Sequence, residues 1–211
     1  MEQFIQLKGI AAPLMRANID TDLLIPSREI NSPERDGYGE KLLAPWRYEG
    51  GTNGRRVERP DFVLNREPYR RATILLAGDN FGSGSSREAA VWAVRQFGFR
   101  CVIAPSFGAI FQNNCYRNGV LPVVLPAHEI AALAAEAERE TLELTVDLRS
   151  CSVRHPNGRS LSFTVPPSER TLLLEGLDAI GLTLKRRAAI EAYQELLREA
   201  RPWVLAVAEP H

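Results

Sequence analysis

The run from Ala72 to Gly98 constrains this chain more than any other stretch. Ala72-Thr73-Ile74-Leu75-Leu76-Ala77 is short, apolar and rich in strand formers, so it reads as a buried strand. Gly78 to Gly84 is a turn-rich loop. Ser86-Arg87-Glu88 then opens a helix that runs to about Phe97, with Gly98 as its stop signal. Ala90, Ala93, Val94 and Phe97 lie on one face of that helix, at helical spacing. Cys101-Val102-Ile103-Ala104 is a second strand, followed by a helix from near Ser106 to the left-handed cap pair Asn118-Gly119. Leu121 to Leu125 is a third strand, and Pro122 sets it near a sheet edge or at a strand start.

Around this unit the chain reads more loosely. Phe4 to Leu14 is a strand entering a turn. From Ser27 to Pro60, Gly37, Gly39, Gly50, Gly51, Gly54, Pro33 and Pro45 interrupt any periodicity, which predicts a long mobile loop, read as a lid. Ala127 to Arg139 is an Ala/Glu-rich helix. Short strands are expected at Leu142–Val146, Cys151–Arg154 and Leu161–Val165, the last two joined by the turn His155-Pro156-Asn157-Gly158. The part from 168 to 199 is expected to be helical, with a break near Gly181. Strands alternating with helices and then a small β meander give an α/β domain with a mixed sheet. With 211 residues, a single domain over 1–211 is the expectation.

Charge and composition exclude several function classes. Lys plus Arg and Asp plus Glu both number 26, so nothing argues for nucleic acid or an anionic membrane surface. No apolar run approaches the roughly 20 residues that cross a bilayer, and the N-terminus lacks the pattern of a signal peptide. A cytoplasmic location is expected. Cys101, Cys115 and Cys151 are widely spaced, with no close pair to grip a metal, so they read as small core hydrophobes. The chain is expected to bind no metal by itself.

Two segments could carry chemistry. Asn80-Phe81-Gly82-Ser83-Gly84-Ser85-Ser86-Arg87-Glu88 joins a buried strand to a helix start. Glycines let backbone N–H groups converge, the helix start adds free donors, and Ser85, Ser86 and Arg87 suit a carboxylate or phosphate. Arg87 fills the place of the third glycine of a dinucleotide fingerprint, and no Gly-Lys-Ser/Thr follows. A plain capping box, Ser85 with Glu88, explains the same residues and is compatible with anion binding. The second segment is Asn18-Ile19-Asp20-Thr21-Asp22, where two carboxylates flank a hydroxyl. It could hold an arginine or orient a base, although a simple Asx turn accounts for it more readily.

Taken in order, several segments resemble the small subunits of 3-isopropylmalate dehydratase, in the aconitase superfamily. They are NIDTDLLIP at 18–26, PWRY at 45–48, PDFVLN at 60–65, the long run at 74–123 and GLDAIGLTL at 176–184. The resemblance implies a swivel domain with β/β/α layering. It implies dehydration and rehydration of a small dicarboxylic hydroxy acid, with a large subunit in a heterodimer or heterotetramer. No cofactor would be bound by this chain; a [4Fe–4S] cluster with one open iron would sit on the large subunit. By similarity Ser85 is the base, while Gly84, Ser86 and Arg87 bind substrate together with Asp20, Thr21 and Asp22. Ser27, Arg28, Glu29, Ile30 and Asn31 would form the specificity loop. They are more polar than an isopropyl pocket suggests, so a paralogue handling citramalate or dimethylmalate stays open beside the leucine-pathway substrate. Against a non-catalytic partner or an RNA-binding relative stand the intact Ser85-Ser86-Arg87 set and the absence of a basic stripe or aromatic platform. The family pattern reads GCGSSREHA; here Ser83 and Ala89 stand for its Cys and His.

Overall fold

In a computed structural model, residues 1–30, 36–50, 56–84 and 87–204 are described. They divide into two compact units, Met1–Gly176 and Leu177–His211. The first unit is built on a seven-stranded mixed sheet. Its strands are β1 (Gln6–Leu14), β4 (Ile74–Ala77), β5 (Cys101–Ala104), β6 (Leu121–Val124), β7 (Glu143–Asp147), β8 (Ser152–Arg154) and β9 (Ser160–Ser162). The order is β6-β5-β4-β1-β7-β8-β9. β1 pairs parallel with β4, with Ala11 opposite Ile74, and antiparallel with β7, with Gly9 opposite Leu144. The α/β class and mixed sheet read from the sequence are therefore present. β1 is the seam between a parallel half and an antiparallel half.

The parallel strands are apolar without alternation because both of their faces are covered. Side chains of successive residues leave a strand on opposite sides. Leu75, Ala77, Val102 and Ala104 thus join one core with Ala90, Val91 and Val94 of α4 (Glu88–Phe97). Ile74, Leu76, Cys101 and Ile103 join another with Ile130, Leu133 and Ala137 of α6 (Ala127–Arg139).

The long loop expected over 27–60 carries short elements in its described part. These are α2 (Tyr38–Lys41), α3 (Ala44–Arg47) and a hairpin of β2 (Tyr48–Gly50) with β3 (Arg56–Glu58). They form a strap across α4. Tyr38 N–H donates to Gln96 Oε1 at 2.7 Å, and a Cβ on Gly39 would lie 2.6 Å from the Gln96 backbone. Arg47 is buried and holds the strap from within. It donates to Asn65 Oδ1 at 3.0 Å and to the Gly39 carbonyl at 3.1 Å. Leu24, Tyr38, Leu42, Leu43 and Leu64 are buried with it.

Two helix boundaries differ from the sequence reading. α5 (Ala109–Arg117) starts after Ser106, because Ser106, Phe107 and Gly108 are paired with Phe81 instead. The chain turns at Gly176 after α7 (Pro167–Glu175), whereas Gly181 lies inside α8 (Ala179–Leu184). In the second unit, Asp178 caps α8 by accepting from Gly181 N–H at 2.6 Å, and α9 (Arg187–Ala200) follows. Among the described residues no helix is long and apolar enough to cross a membrane.

Candidate active site

Three loops leave the C-terminal ends of parallel strands β1, β4 and β5, and the backbone laces them together. Gly82 N–H donates to the Ile19 carbonyl at 2.7 Å and Thr21 N–H to the Ser83 carbonyl at 3.0 Å, with a bridge between Asp20 and Ser83. Phe81 N–H donates to the Ser106 carbonyl at 3.1 Å, and Gly108 N–H to the Phe81 carbonyl at 2.9 Å. Open parallel sheets bind their ligands at this end, where loops from neighbouring strands face one another.

The packing explains the glycines. Gly82 has φ +72°, and a Cβ there would lie 2.2 Å from the Phe111 ring; on Gly108 it would lie 2.4 Å from the Gly82 carbonyl oxygen. Only a residue without a side chain fits either place. Asn18 and Asn80 also have positive φ, both at 56°, and Asn80 Nδ2 donates to Asn18 Oδ1 at 2.8 Å. Ser106 Oγ donates to Asp79 Oδ1 at 2.5 Å and accepts from Asn80 N–H at 2.9 Å. The sequence reading assigned these four residues no role. Asparagine's tolerance of left-handed backbone hints at Asn18 and Asn80, whereas the Asp79–Ser106 pair has no local signature.

Within this frame Asp20, Thr21, Asp22, Gly84 and Arg87 come together. Asp20 Oδ1 accepts from Leu23 N–H at 2.7 Å, which caps the short helix α1 (Thr21–Leu24). Thr21 is buried. Asp22 Oδ1 lies 2.7 Å from Arg87 Nη1, an ion pair between two partly exposed side chains. Gly84 has φ +87°, and a Cβ there would stand 3.5 Å from Asp20 Cβ. Ser85 and Ser86, between Gly84 and Arg87, lie outside the described residues. α4 begins at Glu88 with Arg87 as its N-cap, so Glu88 is the first helical residue and not the third, and its Oε1 accepts from Asn118 Nδ2 at 3.1 Å.

The segment from Ser27 to Asn31 divides. Ser27 Oγ lies 3.5 Å from Asp22 Oδ1, so it adjoins the loops. The Arg28 side chain is exposed. Glu29 turns inward, where its carboxylate is held by Arg56 at 2.5 Å, and Ile30 packs against the core. Asn31 lies outside the described residues.

Cys101 and Cys115 are fully buried, and burial pushes both thiols up, away from the thiolate that a metal or a nucleophile requires. Among the described residues, no cluster of His, Cys, Asp and Glu could hold a metal ion.

Comparison with known proteins assigns this arrangement to a family. The aconitase C-terminal domain model matches residues 1–128, which span β1 to β6 and all three loops. A 3-isopropylmalate dehydratase small subunit from Cupriavidus necator is 53% identical over 206 residues, covering 97% of this chain and 98% of that one. The chain belongs to the 3-isopropylmalate dehydratase small-subunit family. A second small subunit of that name, from Roseobacter denitrificans, is 47% identical over 97% of this chain and all of its own length. The LeuD_N model matches residues 131–167. The model for the C-terminal domain of 3-isopropylmalate dehydratase small subunits matches 180–207, inside the second compact unit. A crystal structure of 3-isopropylmalate dehydratase (leuD) from Methanocaldococcus jannaschii has the same fold. It superposes with a TM-score of 0.63 at 23% identity, over 90% of this chain and 99% of that chain.

Proposed function

We propose that this chain is the small subunit of a cytoplasmic hydro-lyase that isomerises 2-isopropylmalate to 3-isopropylmalate by dehydration and rehydration, in leucine biosynthesis. It acts only in complex with a large subunit. The observation that carries the reading is the match over nearly the full chain to dehydratase small subunits at 53% and 47% identity.

The roles proposed for the loop residues come from the resemblance, and the physics of the loops supports them. Ser85 Oγ removes the carbon-bound proton and returns one on rehydration. Free N–H donors at the start of α4 lower the cost of the alkoxide and of the enolate-like transition state. Ser86 and Arg87 hold a substrate carboxylate, and Asp22 keeps the Arg87 guanidinium in position from the side. Gly84, Asp20 and Thr21 shape the floor through backbone groups. A [4Fe–4S] cluster on the large subunit supplies Lewis acidity for the departing hydroxyl. The strap over 27–60 closes on substrate in the complex, with Ser27 beside Asp22 and Arg28 still exposed. Equal protease resistance of the strap with and without the large subunit would count against that closure.

The test is turnover of 2-isopropylmalate by the chain mixed anaerobically with its large subunit, followed by ultraviolet absorbance of the unsaturated diacid. Ser85→Ala is expected to lower kcat by about 10²–10⁴-fold. The exposed Arg28 guanidinium favours a second reading, a paralogue acting on another substituted malate. Turnover of citramalate or dimethylmalate, with none of isopropylmalate, would replace the first reading by the second.

A further inference from the structure

Beside the loops described above lies a second concave surface, a cleft of about 360 Å³ that shares no residue with Asp20–Asp22 or Gly84–Arg87. Three guanidiniums line it, from Arg16, Arg59 and Arg66, against one carboxylate, Asp61. Each arginine comes from a separately anchored stretch of backbone. Arg16 follows β1, where a Cβ on Gly78 would stand 2.5 Å from its carbonyl carbon. Arg59 N–H donates to the Arg47 carbonyl at 2.9 Å, and Asn65 Nδ2 donates to the Arg59 carbonyl at 3.0 Å. Arg66 N–H donates to the Val63 carbonyl at 3.2 Å.

The positive charge is largely uncompensated. Among the described residues neither Arg16 nor Arg66 meets a carboxylate, and the buried Nε of Arg59 makes no hydrogen bond. Arg59 has only a 3.6 Å ion pair with Glu49, whose side chain is exposed and screened. Arg16 stacks on Trp46, its Cζ 4.6 Å from the ring centroid, and Trp46 is steadied by Phe62 at 6.3 Å. Stacking leaves the in-plane N–H edges of a guanidinium available for a planar anion. Leu14 and Val63 supply apolar wall.

We propose that this cleft binds a small dicarboxylate with an aliphatic body. Within the lining, three guanidiniums less one carboxylate leave an excess of two positive charges, offset in part by the exposed Glu49 beside Arg59, which suits a dianion. Guanidinium forks fit carboxylates two-pronged, and the apolar wall favours a carbon skeleton over a bare inorganic ion. This inference does not rest on the reaction proposed above, because binding needs no turnover.

The test is calorimetric titration of the full chain with 2-methylsuccinate and, in parallel, with sulfate. One saturable site is expected, with sulfate at least about tenfold weaker. Arg16→Gln with Arg66→Gln is expected to weaken it by about tenfold or more, and Arg87→Gln to leave it unchanged. Circular dichroism and urea midpoints establish that the variants fold. The proposal is overturned by no saturable binding, by equal sulfate binding, or by loss only in Arg87→Gln. It is also overturned if methylsuccinate does not bind but the double variant weakens association with the large subunit, because the carboxylate would then belong to the partner.

Discussion

The two halves of the sheet share β1 and little else. In the parallel half, strands buried on both faces must be joined by crossings over the sheet, so successive loops emerge at the same end. There they pack closely enough to share hydrogen bonds and exclude side chains at Gly82 and Gly108. In the antiparallel half the chain reverses through tight turns such as His155–Gly158, and its loops bond to flanking segments, as Leu148 N–H to the Ile5 carbonyl and Phe163 N–H to the Cys151 carbonyl. Its cross-strand polar contacts include the pairs Lys8 with Glu143 at 3.3 Å and Arg154 with Asp147 at 3.0 Å. The same backbone chemistry thus produces a convergent site in one half and a scaffold edge in the other. The aconitase C-terminal domain model ends at residue 128, where the parallel half has just closed.

Paired glycine substitutions test this division most severely. Gly82 and Gly158 both have left-handed φ, +72° and +91°, but Gly158 has open space around it. Gly82→Ala adds a collision with Phe111 to the backbone strain and is expected to cost about 3 kcal/mol or more. Gly158→Ala carries the backbone term alone, about 1–2 kcal/mol. Urea midpoints of the full chain measure both. Equal losses would mean that the loops of the parallel half are no more tightly packed than a hairpin turn.

The strap tests how far the parallel half extends its order. Arg47 is buried and, among the described residues, forms no ion pair; burial lowers its pKa, with Glu58 and Glu40 opposing the shift. Arg47→Met leaves Asn65 Oδ1 without its donor and the Gly39 carbonyl with only the 3.4 Å bond from Leu42 N–H, and is expected to cost about 2–3 kcal/mol. The loss should appear as earlier proteolysis within 36–60 and a lower urea midpoint. An unchanged midpoint would show that the strap contributes nothing to the core it covers.

That strap is also where the sequence was least legible. β4, β5 and β6 could be read because continuous apolar runs bounded by turns leave few alternatives, and the Gly82–Gly84 loop because glycines there have a geometric reason. In the strap, Tyr38, Leu42 and Leu43 are spaced irregularly among glycines and charges, and their burial depends on contacts with Gln96 and Asn65 far along the chain. An arginine in such a stretch reads as surface, although Arg47 lies at its centre. The site shows the same contrast. The segments 18–22 and 80–88 each stood out, but nothing local revealed that Thr21 N–H would meet the Ser83 carbonyl, or that Glu29 would turn away from the loops towards Arg56.

A smaller effect is expected from Asp22, the carboxylate that meets Arg87. Because this pair is partly exposed, Asp22→Asn should lower kcat/KM in the assembled enzyme by about fivefold, with little change in stability. Steady-state kinetics with 2-isopropylmalate measure it. A loss approaching that of Ser85→Ala would give Asp22 a direct part in proton transfer.

The smallest effect belongs to the antiparallel half. Asp147 accepts from Ser150 N–H at 2.9 Å, then from Arg154 Nη2 at 3.0 Å and Gln6 Nε2 at 3.1 Å. The Ser150 backbone donor is the main cause that holds its carboxyl below the ordinary carboxylate range. A folded-state pKa below the unfolded value stabilises the protein above the unfolded pKa of about 3.9, and this contribution is lost as pH falls through the lower folded value. Asp147→Asn should therefore flatten the acid side of the stability–pH curve below about pH 4 and leave neutral turnover untouched. Urea midpoints across that range, set beside kcat/KM at neutral pH, separate the two. A loss of turnover in Asp147→Asn as large as in Asp22→Asn would break the comparison, because it would place a catalytic dependence in the half that carries none of the residues proposed to act.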